Sequence, residues 1–363
     1  MQSSGQHILD IITRESHLPE IDGDACVHAF FDRADCQACV EVCPTQAWVL
    51  GEEALGLDTD ACDGCGLCIP ACPPGALHVH FPWVIRQFGG QMMALFACEQ
   101  SGIRYSSDLV PCIHSLGLRQ LLLLYNAGIR YLLVATSECM QCSRNPRNDI
   151  HQRLQQLNIL LTERDKPPMK ILQRSNQVWM RIFRTDELIS RGTRLSRRNF
   201  LGGGGELLHR QLVVSDPLNL PECRTIPPGQ LLPATENNKV HWPWAPMLDE
   251  SKCNGCDACS RLCPTGSLQV VRDEQEVVTG YRLIPENCIG CDVCVAVCDM
   301  RAISIQSWSV SPVRTINLVE KRCPDCGGAF HLPLRNKLSE NSSCRICREH
   351  RHNDKLFQVL QEA

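Results

Sequence analysis

The sequence of 363 residues has few aromatic side chains, which make up 5% of the chain, and it has no excess of basic residues. Its formal net charge of -4 argues against nucleic acid as a partner, because phosphate binding requires a basic surface. No apolar run approaches the roughly 18 residues that cross a bilayer, and residues 1–17 lack the apolar core of a secretory signal. No GxGxxG fingerprint follows a predicted strand, and no catalytic triad is evident. These absences predict a protein without a membrane span and without catalytic residues of its own.

Cysteine, in contrast, is abundant, with 25 residues in the chain. Such a number is typical either of a disulfide-stapled secreted protein or of a metalloprotein in a reducing compartment. Most of these cysteines lie in CxxC steps that recur in four successive runs, and a disulfide framework has no reason to repeat such steps. The number is also odd, so an all-disulfide scheme would leave one thiol over. We therefore expect a cytoplasmic metalloprotein.

The four runs form a repeat on two scales. Residues 36–79 contain CQACVEVCPTQAWVL and then CDGCGLCIPACPPGALHV, and residues 253–305 contain CNGCDACSRLCPTGSLQV and then CIGCDVCVAVCDMRAISI. Each run is predicted to form a loop, then a short helix, then a β-prone stretch. Thiolates are the natural ligands of [4Fe-4S] clusters, and three of them on one loop can bind three irons while a distant fourth completes the site.

Both modules resemble the bacterial two-cluster ferredoxin family, in which the fourth cysteine of each CxxCxxCxxxCP run serves the other cluster. The resemblance implies four [4Fe-4S] clusters, two in each module. In the C-terminal module it implies one site formed by Cys253, Cys256, Cys259 and Cys298, and a second formed by Cys263, Cys288, Cys291 and Cys294. In the N-terminal module it implies one complete site formed by Cys43, Cys62, Cys65 and Cys68.

The other N-terminal site departs from this pattern. The position three residues before Cys36 is Arg33, which cannot bind iron. We therefore expect Cys26 to reach the site across a longer loop and to complete a set with Cys36, Cys39 and Cys72. If Cys26 does not bind, the site would hold a [3Fe-4S] or site-differentiated cluster. Zinc or disulfide bonding is the alternative for both modules, but zinc sites rarely repeat CxxCxxCxxxC.

The segment between the modules has a different character. MMALFA and YLLVAT are predicted to be buried strands, and LRQLLLLYNAG is predicted to be a helix that ends at glycine. Strand, helix and strand in this order predict a parallel pair with a right-handed crossover. Further helix is expected through residues 148–161.

Four cysteines, Cys98, Cys112, Cys139 and Cys142, lie at the ends of these elements. Loops after the carboxyl ends of parallel strands converge on one edge, so the four are expected to meet. FACEQSG, LVPCIHSLG and LLVATSECMQC resemble, over about 60 residues, the iron-sulphur delta subunit family of methyl-viologen-reducing hydrogenase. That family has CxxC where this chain has Cys98 followed by Ser101. The resemblance implies a [2Fe-2S] cluster, and the alternative is that some of these cysteines only pack in the core.

The C-terminal region contains two CxxC knuckles with 17 residues between them, formed by Cys323 and Cys326 and by Cys344 and Cys347. This spacing is typical of a zinc ribbon, in which two tight turns supply four thiolates to a closed tetrahedral site. A rubredoxin-like iron site uses similar knuckles and is the alternative. The pattern favours zinc.

A basic segment ends in LSRRNFLGGGG, which is similar to a twin-arginine export motif displaced into the chain. Export signals are N-terminal and precede an apolar stretch, whereas GELLHRQ follows here, so export is not expected. A solvated basic helix face is the favoured interpretation, and docking of an acidic redox partner or a chaperone is the alternative.

Together these patterns predict a multidomain protein of the α+β and α/β classes. Its predicted parts are a ferredoxin-like module at 1–84, a parallel α/β domain at 85–198, a Gly/Pro-rich linker at 199–246, a second ferredoxin-like module at 247–310 and a zinc-ribbon-like tail at 311–363.

The expected function is the relay of single electrons to or from a partner oxidoreductase. The resemblances imply a partner of the hydrogenase, heterodisulfide-reductase-like or formate dehydrogenase type. The alternatives are a maturation or assembly factor for such an enzyme and a cytoplasmic redox sensor with the irregular cluster as its labile element.

Overall fold

The computed structural model describes residues 18–51, 55–79, 84–103, 110–144, 150–184, 226–237, 239–310, 314–336 and 343–353. The chain forms two compact units. The first contains the N-terminal cysteine-rich region and the α/β domain, and the second contains the C-terminal cysteine-rich region and the tail. No helix in the described ranges is long and apolar enough to cross a membrane. The LSRRNF motif and most of the predicted linker, including Cys223, lie outside the described residues.

The N-terminal region consists of short elements separated by cysteine loops. They are β1 (Glu20–Ile21), α1 (Val27–Phe30), α2 (Ala38–Val42), β2 (Trp48–Leu50), β3 (Leu55–Leu57), α3 (Cys68–Ala71) and β4 (Leu77–His78). β1 pairs with β4 and β2 with β3, both antiparallel. Each predicted cysteine run therefore leads into a short helix and then a strand, as the sequence pattern indicates.

The α/β domain follows. Its elements are β5 (Val84–Phe88), β6 (Gln91–Ala97), α4 (Leu118–Asn126), β7 (Tyr131–Ala135), α5 (Ile150–Thr162), β8 (Lys170–Gln173) and α6 (Asn176–Phe183). The sheet has the order β5-β6-β7-β8, with β5 antiparallel to β6 and the other two pairs parallel. The predicted parallel pair of MMALFA and YLLVAT is confirmed, as are the two helices.

Apolar side chains explain why this domain forms. Leu121, Leu122 and Leu124 of α4 are fully buried, which matches the helical spacing of that apolar run. Trp179 of α6 is also fully buried, and its indole N–H donates to the carbonyl of Leu133 at 3.2 Å. Burying the indole therefore leaves no unpaired donor on this side chain.

The second unit is mostly antiparallel. After the short helix α7 (Pro228–Leu231) come β9 (His241–Leu248), α8 (Ala258–Arg261), β10 (Leu268–Arg272), β11 (Val278–Leu283), α9 (Val293–Ala296), β12 (Ile303–Val310), β13 (Thr315–Arg322), β14 (Ala329–Pro333) and α10 (Arg345–Asn353). β9 pairs with β12, and the other strands form a sheet of order β10-β11-β13-β14.

Two features of this unit differ from the sequence prediction. The end of the predicted linker forms strand β9. Among the described residues β9 pairs only with β12, so one of its edges has no neighbouring strand. Such an edge strand tolerates Pro243 and Pro246, because it does not need a hydrogen bond from every backbone N–H. The sheet also runs across the predicted boundary at residue 310, since β13 pairs with β11 on one side and β14 on the other. The tail and the C-terminal cysteine region therefore share one sheet.

Candidate metal centres

The C-terminal region brings its eight cysteines together in the two sets that the ferredoxin resemblance implies. One set lines a pocket with an empty space of about 310 Å³ and consists of Cys253, Cys256, Cys259 and Cys298. The other lines a pocket of about 320 Å³ and consists of Cys263, Cys288, Cys291 and Cys294. Each set takes three cysteines from one run and the fourth from the other, so the two sites interlock the region.

The backbone of each loop is shaped by a glycine and an aspartate with positive φ. In the first loop Gly255 has φ 69° and Asp257 has φ 61°, and in the second Gly290 has φ 71° and Asp292 has φ 57°. Glycine adopts this left-handed conformation without strain, and aspartate is among the residues that tolerate it best. A short helix follows at once in both cases, α8 and α9. The three cysteines of each loop thereby face one pocket.

The thiols in these pockets suit a cationic metal group. Burial, together with the neighbouring cysteines, raises the pKa of Cys259 to about 12 and that of Cys288 to about 12. Four thiols packed together away from water do not all ionise by themselves, whereas iron or zinc binds the thiolates and compensates their charge. The donor set therefore fits an iron-sulphur cluster, which carries one-electron chemistry.

Backbone amides also point at the sulphur atoms. The last cysteine of three runs accepts an N–H from the residue four positions later: Ala47 donates to Cys43 at 3.3 Å, Ser267 to Cys263 at 3.1 Å and Ala302 to Cys298 at 3.2 Å. Hydrogen bonds to cluster sulphurs are one of the ways in which proteins tune reduction potential. The same short turn therefore recurs at three of the predicted ligands.

The N-terminal region follows the same plan. Burial is the main cause of the raised pKa of Cys68, and the nearby thiols of Cys62, Cys39 and Cys43 raise it further. Cys65 is buried in the same loop. Cys43, Cys62, Cys65 and Cys68 are the predicted complete site, and Cys39 belongs to the irregular site beside it. Burial, together with the nearby thiols of Cys72 and Cys36, raises the pKa of Cys39 to about 12. That second group is the irregular site.

Cys26 lies at the beginning of the segment that leads to this irregular site. It directly precedes α1, and Nε2 of His28 in that helix bonds the carbonyl of Cys36 at 2.9 Å. This contact holds the Cys26 segment beside the irregular site. Binding of iron by the Cys26 thiol stays a prediction.

All four middle cysteines line a single pocket with an empty space of about 310 Å³. Cys98 follows β6, and the parallel bridge between Cys98 and Val110 brings in the loop of Cys112. Cys139 and Cys142 flank a turn after β7. The cysteines therefore meet at the carboxyl edge of the parallel strands, as the order of the elements predicts.

Sequence reasoning missed a histidine in this pocket. The ring of His114 is buried, its Nδ1 accepts the N–H of Ile150 at 3.1 Å and its Nε2 lies 3.4 Å from Sγ of Cys139. Because Nδ1 accepts, Nε2 carries the proton and donates to the sulphur. The available signal in the sequence is the position of His114 two residues after Cys112, beside the VPC step.

In the tail, the four knuckle cysteines come together as predicted. The sulphurs of Cys323, Cys326, Cys344 and Cys347 all lie within 4.8 Å of one another, and those of Cys326 and Cys344 are 3.9 Å apart. A tetrahedral zinc-thiolate site has sulphurs about 3.8 Å apart, given a Zn–S length of about 2.3 Å. The N–H of Cys344 also donates to Sγ of Cys323 at 3.2 Å. The arrangement fits one ion bound by four thiolates.

Comparison with known proteins bears on the two cysteine-rich regions. Residues 245–303 match the 4Fe-4S dicluster domain, and residues 33–81 match the LdpA Fe-S cluster-binding domain. Both segments are therefore similar to domains that bind iron-sulphur clusters. Neither match extends into residues 85–198, so the resemblance of the middle domain to the hydrogenase delta subunit stays a prediction.

Similar proteins include two ferredoxins and a reductase subunit. Ferredoxin-1 of Caulobacter vibrioides is 43% identical over 54 residues, which are 15% of this chain and 43% of that protein. Ferredoxin 7Fe of Hydrogenibacillus schlegelii is 42% identical over 41 residues, 11% of this chain and 53% of that protein. A tetrathionate reductase subunit of Archaeoglobus fulgidus is 45% identical over 53 residues, 14% of this chain and 26% of that protein. The chain thus spans about half or less of the length of these relatives.

Proposed function

We propose that this protein relays single electrons between redox partners through [4Fe-4S] clusters bound by its two ferredoxin-type regions. The observation that supports this most directly is the convergence of eight C-terminal cysteines into two interlocked sets of four, each around its own pocket. An iron-sulphur cluster accepts and releases one electron at a time, with a potential set by its surroundings. The matches to ferredoxin-type domains and to ferredoxins point to the same chemistry.

Two further clusters are proposed for the N-terminal region. One would be held by the complete set of Cys43, Cys62, Cys65 and Cys68. The other would be held by Cys36, Cys39 and Cys72, with Cys26 as its fourth ligand. Removing the Cys26 thiol with Cys26→Ser should convert that cluster to a three-iron form with a distinct electron paramagnetic resonance (EPR) signal, and an unchanged iron content and spectrum would contradict its role as ligand.

The middle domain and the tail are proposed to hold different groups. The pocket of Cys98, Cys112, Cys139 and Cys142 would bind a further iron-sulphur centre, of the [2Fe-2S] type if the hydrogenase delta resemblance holds. The closed knuckle site of the tail would bind zinc, which has no redox chemistry and would therefore stabilise the fold. The protein would then be a chain of redox centres with a structural metal at one end.

The proposed partner is an oxidoreductase. One relative is named as a subunit of tetrathionate reductase, which supports a place beside a larger redox enzyme, and the resemblance of the middle domain suggests a hydrogenase, heterodisulfide-reductase-like or formate dehydrogenase partner. A cytoplasmic location is proposed because a reducing compartment keeps thiols available as cluster ligands.

The decisive experiment is anaerobic purification of the full chain, with counts of iron, acid-labile sulphide and zinc, followed by redox-titrated EPR. We expect about 16 iron atoms from four cubane clusters, additional iron from the middle pocket and one zinc. Dithionite should reduce the clusters reversibly, and a partner enzyme should re-oxidise them rapidly. Zinc alone at the ferredoxin-type sites would overturn the proposal, and so would stoichiometric binding of a client protein without any electron transfer, which would indicate a maturation factor.

A further inference from the structure

One guanidinium group bonds to the loops of two different cysteine sites in the first unit. Arg144 lies two residues after Cys142 and lines the pocket of the middle site. Its Nε donates to a carboxylate oxygen of Asp63 at 2.7 Å, and Asp63 stands between Cys62 and Cys65 of the complete N-terminal site. The side chain of Arg144 is only 10% exposed, so this bond is largely shielded from water.

A second, longer bond from Nη2 of Arg144 goes to the carbonyl of Asp63 at 3.4 Å, and two others go to the remaining loops of the middle site. One Nη donates to the carboxylate of Glu99 at 3.1 Å, and Glu99 directly follows Cys98. The other Nη donates to the carbonyl of Pro111, which directly precedes Cys112. Arg144 therefore bonds a direct chain neighbour of a cysteine in three separate loops.

The two cysteine sites also pack directly against each other. Cys65 of the N-terminal site and Cys112 of the middle site belong to one buried apolar cluster with Leu67. The loop residue Gly66 has φ 70°, and a Cβ on it would lie 3.0 Å from Cβ of Ser115, in the turn that follows Cys112. Only a residue without a side chain allows the two loops to approach so closely.

Ion pairing keeps Arg144 and its carboxylate partners charged where the two cysteine sites meet. Burial opposes the ionisation of Asp63, but its hydrogen bond and ion pair with Arg144 prevail and hold the pKa of that carboxyl below its usual value. Burial likewise opposes the charge of Arg144, and the bonds to Asp63 and Glu99 raise its pKa above the usual value of an arginine. The guanidinium charge between the two sites is therefore permanent, and it is paired with the carboxylates of Asp63 and Glu99.

We propose that Arg144 is a positioning residue shared by two redox centres: it fixes the loops of both sites, and its positive charge favours the reduced form of each. This inference rests on the proposed function, since it requires iron-sulphur clusters in both pockets. A cluster gains one negative charge on reduction, so a nearby cation raises its reduction potential. Both potentials should therefore depend on one side chain that belongs to neither ligand set.

The test is redox-titrated EPR of the full-length Arg144→Gln variant, purified anaerobically with its iron counted. We expect the potentials of both centres to fall, each by about a tenfold change in the equilibrium constant for reduction, which is about 59 mV for a one-electron couple. Arg144→Lys keeps the positive charge but cannot make every hydrogen bond of the guanidinium group. Both potentials in this variant should therefore fall by less than they do in Arg144→Gln. A shift in one centre only, or in neither, would overturn the proposal.

A matched control is Arg86→Gln in the same unit. Arg86 is also partly buried, donates to the carbonyl of Phe183 at 3.1 Å and lies over the ring of Phe183, on the β5 side of the sheet. This variant should lose stability without moving either potential. Equal shifts in the Arg86 and Arg144 variants would mean that general loosening of the fold, rather than the charge at the junction, controls the potentials, and would overturn the proposal.

A second measurement covers the case in which Arg144→Gln does not retain its clusters. In the unmodified protein the packing of Cys65 against Cys112 predicts magnetic interaction between the two reduced centres, seen as broadened or split EPR signals. Arg144→Lys, which is expected to fold, should weaken this interaction, and unchanged spectra and potentials in that variant would contradict the proposal. The proposed function is tested separately, because iron counts and reducibility of the unmodified protein decide it before any variant is compared.

Discussion

The two cysteine loops of the C-terminal region are nearly identical in sequence, CNGCDAC and CIGCDVC, yet their surroundings differ. In the first, the Asp257 carboxylate is buried, accepts the hydroxyl of Tyr281 at 2.6 Å and bonds Nε2 of His331 at 2.8 Å. In the second, the equivalent Asp292 is more exposed than Asp257, and partial burial raises its pKa. The same ligand spacing is thus placed in two electrostatic environments, and the environment sets the potential of a cluster.

The covering elements differ as well. The backbone carbonyl of His331 in β14 lies directly against Gly255 of the first loop, whereas the indole of Trp244 in β9 lies against Gly290 of the second. A strand of the tail therefore seals the first site, and a strand preceding the cysteines seals the second. The comparison shows that a duplicated ligand pattern becomes specialised through the segments added around it.

The largest difference in stability between the two loops is expected when Gly255 of the first loop or Gly290 of the second is replaced by alanine. Gly255→Ala should destabilise the protein by roughly 2 to 5 kcal/mol, because alanine is strained at positive φ and its methyl group would meet the backbone of β14, which cannot move aside. Gly290→Ala would meet the Trp244 side chain instead. The double variant Gly290→Ala, Trp244→Leu should therefore recover part of the loss, as measured by thermal unfolding of the cluster-loaded protein. Equal losses in all three variants would show that strain alone, and not the cover, decides the outcome.

The next largest effect is expected from removing the zinc that we propose for the tail. Extraction of zinc, or the variant Cys326→Ser, should loosen the β13–β14 hairpin, because Cys323 and Cys326 form the turn between these strands. The first cluster should then become more exposed and shift in potential, while the second, covered by Trp244, should not. Hydrogen exchange of β14 amides and redox titration would measure both effects. Shifts of equal size in the two clusters would contradict this division.

A smaller effect is expected from neutralising the two aspartates. The bonds of Asp257 to His331 and Tyr281 outweigh the effect of burial and hold the pKa of this carboxyl below its usual value, so the side chain carries a negative charge. Asp257→Asn removes that charge and should therefore raise the potential of the first cluster by on the order of 50 mV. Asp292→Asn should raise the potential of the second cluster less, because partial burial and the carboxylate of Asp35 raise the pKa of Asp292 and disfavour its charged form. Redox-titrated EPR of both variants makes the comparison, and a larger shift from Asp292 would reverse our assignment.

The smallest effect is expected from removing one hydroxyl group. Tyr281→Phe takes one donor from the buried Asp257 and should cost about 1 to 3 kcal/mol of stability, with a small fall in the potential of the first cluster. Tyr125→Phe is the matched control, because that hydroxyl donates to the carbonyl of Pro167 at 3.0 Å in the α/β domain. It should lower stability without altering the potential of either C-terminal cluster. A change of potential in this control would mean that the shift in Tyr281→Phe does not come from the contact with Asp257.

Local patterns predict much of this molecule. The CxxC steps predict three cysteines of each C-terminal pocket, because these come from one short loop, and the ferredoxin resemblance implies the fourth, from the other run. The apolar runs predict β6, α4 and β7, since burial of a strand or a helix face leaves a period in the sequence. The convergence of Cys98 and Cys139 then follows from the order of these elements.

Local sequence patterns do not predict contacts between residues that are far apart in the chain. Arg144 and Asp63 are 81 positions apart, and Asp257 and His331 are 74 apart, so no local spacing relates either pair. In the sequence His331 looks like an ordinary surface histidine, although it reaches the first cysteine loop. Strand β9 resembles linker because of its prolines, which an edge strand tolerates.

The shared sheet of the second unit has a practical consequence for dissecting the protein. A fragment that stops at residue 310, where the ferredoxin pattern ends, would leave β11 without its neighbour β13 and Asp257 without the imidazole of His331. An unprotected strand edge invites aggregation, and a buried carboxylate stripped of a partner favours unfolding. The shortest C-terminal piece worth producing therefore extends through the second cysteine knuckle. In this chain, the end of a recognisable motif is not the end of the folding unit.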